Sequence, residues 1–245
     1  MPYLVVFSVL NKSQNKVKAK RTDKSQHIIS QISFDSTTIP LCLSVFWWAK
    51  FRKKKGGVKA HVLYDLESQV PAFFHVSTAS VYDSKAMNEI HYESGSYYVF
   101  DRGYNAFKEL FKIHLHESFF VVRAKKNLQC KCCKWRRRLP KNILTDAEIE
   151  FTEYNSYRKY PERLRLVKFY DEEQDREFAF LTNAFHLTAL EIANLYKNRW
   201  QIELFFKMAK ATPQNQEVLG YYRECCENPN LIGNHSLFPC CYRTT

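Results

Sequence analysis

Between Ile28 and Arg123 the hydrophobic pattern switches period in an order that few folds can accept. Runs that alternate or cluster apolar residues predict strands at Ile28–Phe34, Val58–Asp65 and Ala72–Ser77, a meander with antiparallel pairing. Ser84 to Ile90 reads as a short helix with Asp83 as its N-cap. A strand ending at Asp101 follows, then an amphipathic helix from Ala106 through Leu115, then a buried strand at Phe119–Arg123. Three strands, a helix, a strand, a helix and a strand predict an α/β chain with a mixed sheet covered by helices.

Two aspartates sit where this pattern makes them informative. Asp35 closes the run His27–Phe34, and Asp101 closes Tyr97–Phe100, so both are expected at the exits of strands. If those strands are neighbours, the two carboxylates lie side by side. Such a pair repels unless a cation lies between its members, which points to Mg2+ or Mn2+. Each Asp taken alone reads better as a turn or cap residue after a strand; three acids together do not.

A third acid lies in Tyr196–Lys210, predicted as one helix. Residues three or four apart share a helix face, so Tyr196, Arg199, Glu203, Lys207 and Lys210 form a polar stripe. Leu195, Ile202, Phe205 and Phe206 form an adjoining apolar face able to dock on a sheet, with Trp200 expected to pack there too. Thr188 with Glu191 three residues later marks a capping box at the helix start. An acid among Tyr, Arg and Lys suits a metal site beside bound phosphates; a solvated helix with ordinary ion pairs is the competing reading.

These residues resemble DDE transposases of the insertion-sequence-family-four type. The family's third acidic motif is Tyr, two residues, Arg, three residues, Glu, six residues, Lys, and it is matched at Tyr196, Arg199, Glu203 and Lys210. Asp35 in Phe-Asp-Ser-Thr-Thr-Ile and Asp101 in Val-Phe-Asp-Arg-Gly-Tyr match the first and second acids. Gly57-Val-Lys59-Ala-His61, Asp83 and Phe119-Phe-Val-Val-Arg123-Ala-Lys125 are also similar. The resemblance implies an RNase H-like core and a two-metal site of Asp35, Asp101 and Glu203 holding Mg2+ or Mn2+. It also implies phosphate contacts from Tyr196, Arg199, Lys207 and Lys210, with Lys59, Arg102 and Arg123 as further DNA-binding residues. The implied partners are terminal inverted repeats and target DNA, handled by a homodimer on paired ends at the bacterial nucleoid.

Charge agrees with a polyanionic partner, for the formal net charge is +12. Basic residues cluster at Lys16–Lys24, Lys50–Lys55 and Lys131–Arg138. Apolar runs long enough to span a bilayer are absent, and Tyr3–Leu10 lacks the charged leader of a signal peptide, so a cytoplasmic location is expected. The eight cysteines read as reduced thiols, since Cys130-Lys-Cys132-Cys133 is too crowded for a standard zinc loop.

The expected organisation is a remnant of a truncated N-terminal region over 1–27, a core over 28–128 and 164–210, and a mostly β insertion over 129–163. Strands are predicted at Leu164–Tyr170 and Glu177–Thr182 around a turn at Asp171–Asp175. From Ala211 the periodicity stops, and reading the tail one base out of register yields a string like the family's own continuation. The segment 211–245 is therefore expected to be an out-of-frame, poorly ordered tail. Two function classes follow: a DNA transposase, and a non-catalytic basic remnant that binds nucleic acid by charge alone.

Overall fold

A computed structural model of the chain describes residues 30–41, 50–52 and 55–211. The expectations for 1–27, for residues 53–54 within Lys50–Lys55 and for the tail after Ala211 lie outside the described residues. Among the described residues, ten strands form one sheet: β1 (Gln31–Leu41), β2 (Lys50–Arg52), β3 (Lys55–Asp65), β4 (Val70–Thr78), β5 (Tyr97–Phe100), β6 (Phe119–Arg123), β7 (Cys130–Trp135), β8 (Ile143–Phe151), β9 (Leu164–Asp171) and β10 (Arg176–Thr182). The helices are α1 (Asp83–Ala86, continued by a 3-10 turn at Met87–Glu89), α2 (Phe107–Leu115), α3 (Tyr154–Lys159), α4 (Ala189–Asn198) and α5 (Trp200–Ala211).

The sheet order is β2-β3-β1-β5-β6-β10-β9-β8-β7, with β4 also paired to β3. β1, β3 and β4 pair antiparallel, while β5 runs parallel to both β1 and β6. This is the mixed α/β sheet with flanking helices expected from the element order. The central strand β5 is buried along its whole length, as a parallel strand covered on both faces must be.

Alternation along the strands sorts the core into two layers. Ile32, Phe34, Tyr98, Phe100, Phe120 and Val122 face α1 and α2, meeting Met87, Leu110 and Ile113. Tyr97, Val99, Val121 and Phe180 face the other way, onto Ile192, Ala193 and Leu195 of α4. Val62, Tyr64 and Leu66 take Ile202 and Phe206 of α5, so the apolar face read from the sequence does dock on the sheet.

Four expectations need correcting. Asp35 is not at a strand exit: β1 continues six residues past it to Leu41, because Ser36–Ile39 keep pairing with Val58–His61. Asp83 is not the cap of α1; Tyr82 holds that position with no side-chain cap bond, and the Asp83 carboxylate serves other partners. The third-motif helix breaks at Arg199, where α4 ends and α5 begins. Trp200, the first residue of α5, is exposed rather than packed on the sheet. The capping box of Thr188 and Glu191 is present as read.

The segment 129–163 carries β7, β8 and α3, and β8 pairs with β9 of the same sheet. One buried ion pair holds this region to the chain leading into α4. Arg165, almost wholly buried, donates from Nε and Nη2 to Asp146 Oδ1 and Oδ2, both at 2.7 Å. Its Nη1 donates to the carbonyls of Ala184 at 3.1 Å and Leu187 at 2.5 Å. A buried pair of this kind is weak evidence for net stability, but breaking it strands a charge. Asp146→Ala is expected to cost about 3–5 kcal/mol of unfolding free energy, checked by urea titration.

Candidate active site

The register of the two parallel strands builds the site. Phe34 pairs with Phe100, so the next residues, Asp35 and Asp101, stand abreast. Both share strand parity with residues on the α4–α5 side of the sheet, Asp101 with Tyr97 and Val99 and Asp35 with Ser33. Helix α4 brings Tyr196 over the sheet, where its ring packs 4.7 Å from that of Phe180 and its hydroxyl donates to Asp101 Oδ1 at 2.8 Å. Arg199, at the joint between the helices, donates from Nη1 to Asp35 Oδ2 at 2.9 Å. Its Nη2 donates to Glu203 Oε1 at 2.6 Å, one helical turn on. A single guanidinium thus bridges two of the three acids, and Tyr196 holds the third.

Electrostatics set the acids apart. Burial pushes the Asp35 carboxyl up to about 6, against the Ser36 backbone N–H and Arg199, with the charges of Asp101 and Glu203 raising it further. Asp101 is also opposed by burial. Its carboxyl nevertheless falls below the usual range, held there by the Arg102 backbone N–H, the Tyr196 hydroxyl, Arg199 and Arg123. Burial, with Asp101 close by, pushes the Tyr196 hydroxyl up to about 12, so it serves as a donor at neutral pH. Burial works against the Arg199 charge, but Tyr196, Asp35 and Glu203 more than compensate.

The donor set fits a hard divalent cation in kind and in charge. Three carboxylates could supply oxygen ligands, and the Asp35 carboxyl is raised first by burial and then by the charges of Asp101 and Glu203. They do not form a finished cage: among the described residues, no three acidic, His or Cys side chains converge closely enough to hold an ion. Among the described residues, the cation that bridges two of these acids is Arg199.

The other residues singled out in the sequence are distributed around this centre. Arg123 lies near enough to act on Asp101 and Tyr196, with its guanidinium 4.8 Å from the Phe178 ring centre. Arg102 immediately follows Asp101 and offers it a backbone N–H. Lys207 and Lys210 are exposed further along α5. Lys59 is not brought to the acids: its Nζ bonds Asp83 Oδ1 at 3.1 Å and the Val81 carbonyl at 3.2 Å, on the α1 side of the sheet. Asp83 also accepts from Ser36 Oγ at 2.8 Å, which anchors the residue after Asp35. Sequence reasoning assigned Asp83 only a cap. The signal for this second role was Ser36 on β1 and Lys59 on β3, which pairs two positions further along with Thr38, but it appears only once the register is known. Cys132 and Cys133 are exposed on β7, away from these groups. Among the described residues, no helix is long and apolar enough to cross a membrane.

The transposase DDE domain family matches residues 26–217. The putative transposase y4zB of Sinorhizobium fredii is 34% identical over 191 residues, 76% of this chain and 53% of that protein. The probable transposase for insertion sequence element IS5377 of Geobacillus stearothermophilus is 29% identical over 178 residues, 72% of this chain and 46% of that protein. The chain thus spans about half the length of the curated relatives it matches. A piggyBac transposase synaptic complex with hairpin DNA aligns with TM-score 0.45 and 9% identity, over 78% of this chain and 44% of that one.

The raised Asp35 has a signed consequence. An acid that keeps its proton longer in the folded than in the unfolded state contributes stability that is full below about pH 4. That contribution is lost as pH rises through about 6. Asp35→Asn removes the dependence. In metal-free buffer, the wild-type minus Asp35→Asn stability difference should fall by at most about 3 kcal/mol between pH 4 and pH 7, followed by urea titration at each pH.

Proposed function

The chain belongs to the transposase DDE domain family, and from that premise we propose that it is a DNA transposase using Asp35, Asp101 and Glu203 as its catalytic acids. The single observation that carries this reading is the pairing of β1 with β5, which sets Asp35 and Asp101 abreast beneath the helix bearing Glu203. The three carboxylates would hold Mg2+ or Mn2+. When bound, such ions activate the attacking oxygen and stabilise the leaving one in phosphodiester hydrolysis and strand transfer.

The remaining residues have roles their chemistry supports. Tyr196 keeps Asp101 oriented through its hydroxyl and keeps it ionised. Arg199, Lys207 and Lys210 present cations along one side of α4 and α5, suited to the phosphates on either side of a scissile bond. Arg123 adds charge beside Asp101, and Arg102 would extend it. Ser36, Asp83 and Lys59 tie β1, β3 and α1 together just behind Asp35, and so help to fix its position. The spacing of Tyr196, Arg199, Glu203 and Lys210 supports placing the chain in the insertion-sequence-family-four branch. Terminal inverted repeats are then the DNA ends it acts on, with two copies working on paired ends.

A second reading is a non-catalytic nucleic-acid-binding protein. The observation favouring it is that Arg199 stands between Asp35 and Glu203 while no three-acid cage is assembled among the described residues.

The two readings separate on supercoiled plasmid DNA with Mn2+. The transposase reading expects metal-dependent nicking that falls by at least ~100-fold in Asp101→Ala and in Glu203→Gln, since even residues behind metal ligands cost 10–100-fold. Binding that weakens steeply with salt, with no metal-dependent nicking, would establish the second reading instead.

A further inference from the structure

Arg199 occupies a position that the proposed chemistry cannot leave it in. Its guanidinium plane spans the gap between Asp35 Oδ2 and Glu203 Oε1, at 2.9 and 2.6 Å, a planar fork doing what a divalent ion would do between the same oxygens. The side chain is largely buried, and its buried Nε has no hydrogen-bond partner, so the bridge leaves one donor of the guanidinium unsatisfied. It rests 5.5 Å from the Tyr196 ring centre, at the joint where α4 gives way to α5. Glu203 is half-exposed, so one side of the bridge opens to solvent.

We propose that Arg199 is a displaceable bolt that makes metal uptake and DNA uptake cooperative. In the free protein it neutralises Asp35 and Glu203 and keeps them from closing on an ion. A DNA phosphate offers it a replacement anion, and its departure frees both carboxylates for the ion. The phosphate and the cation therefore each favour the other, although they need not touch. Neither exchange leaves a buried charge unpaired, which is the costly alternative. Linkage requires the coupling to be reciprocal: DNA tightens the ion by the same factor by which the ion tightens DNA. The inference rests on the transposase reading for the identity of the metal ligands, but it assigns Arg199 a part beyond phosphate contact.

The test reads ion affinity rather than activity. Mn2+ is titrated into the full chain and free Mn2+ is followed by its EPR signal, with and without a short DNA duplex whose own Mn2+ uptake is subtracted. Arg199→Gln is expected to bind Mn2+ about tenfold more tightly than wild type without DNA, within the range usual for coupled sites. The duplex should tighten Mn2+ on wild type and leave Arg199→Gln unmoved. Lys197→Gln removes an exposed charge near the same joint without touching the acids, and should change Mn2+ affinity by no more than about twofold.

If Arg199→Gln binds Mn2+ no more tightly than wild type, or gains no more than Lys197→Gln, the bolt is wrong. Should Arg199→Gln melt early, Arg199→Lys keeps a cation that cannot span both acids. It is expected to fall between the two, and an affinity equal to wild type overturns the proposal. Asp101→Asn and Glu203→Gln separate this failure from that of the site itself. If they bind Mn2+ as well as wild type, the three-acid site is wrong. If they lose it while Arg199→Gln gains nothing, only the bolt is.

Discussion

The parallel pairing of β1 with β5 is the constraint on which the rest of the site depends. Parallel strands keep side chains in step, so Phe34 and Phe100 bury together and the following residues, Asp35 and Asp101, emerge together on the opposite face. That pairing needs both faces covered. The α1–α2 layer and the α4–α5 layer supply the cover, and α5 carries Glu203 on its solvent side while Ile202 and Phe206 anchor it. Two like charges forced side by side and partly desolvated are a cost the fold accepts, visible in the raised Asp35 and in the donors gathered around Asp101.

Those donors make the site polarised rather than symmetric. Asp101 has Tyr196, the Arg102 backbone and Arg123 in its favour and stays ionised. Asp35, more deeply placed, depends on Arg199 and the Ser36 N–H. The two faces of the sheet divide the work. On the α4–α5 side lie the acids and their cations; on the α1 side Asp83, Ser36 and Lys59 lock β1 against β3 without reaching the acids. Lys59 is thereby tied to Asp83 and the Val81 carbonyl on that face.

Much of this was legible in the residues because it rests on local pattern. Phe119–Arg123 appears as the strand the apolar run predicted, Thr188 and Glu191 form the expected capping box, and the antiparallel meander of β1, β3 and β4 follows from period-two alternation. What the sequence hid depends on pairing. Asp35 lies inside β1 because β3 offers it partners beyond that point, a register no single run reveals. The helix joint at Arg199 has no Pro or Gly to announce it. There Arg199 N–H turns back to the Tyr196 carbonyl at 3.1 Å and Ile202 N–H to the Arg199 carbonyl at 3.2 Å. Trp200 stays exposed because, two residues before Ile202 in the same helix, it lies on roughly the opposite face from the stripe that Ile202 and Phe206 occupy. Asp146 and Arg165 gave no periodic signal at all, since their partnership joins two strands and a loop.

The central claim is that Asp35, Asp101 and Glu203 are ligands of one divalent-ion site. Anomalous diffraction from crystals of the full chain grown with Mn2+ and a short DNA duplex tests it most directly. The account predicts an anomalous peak at about 2.0–2.6 Å from oxygens of Asp35 and Asp101, with Glu203 joining the coordination and Arg199 turned to a phosphate. A peak elsewhere in the chain, or none beside these acids while Arg199 still bridges Asp35 and Glu203, would contradict it.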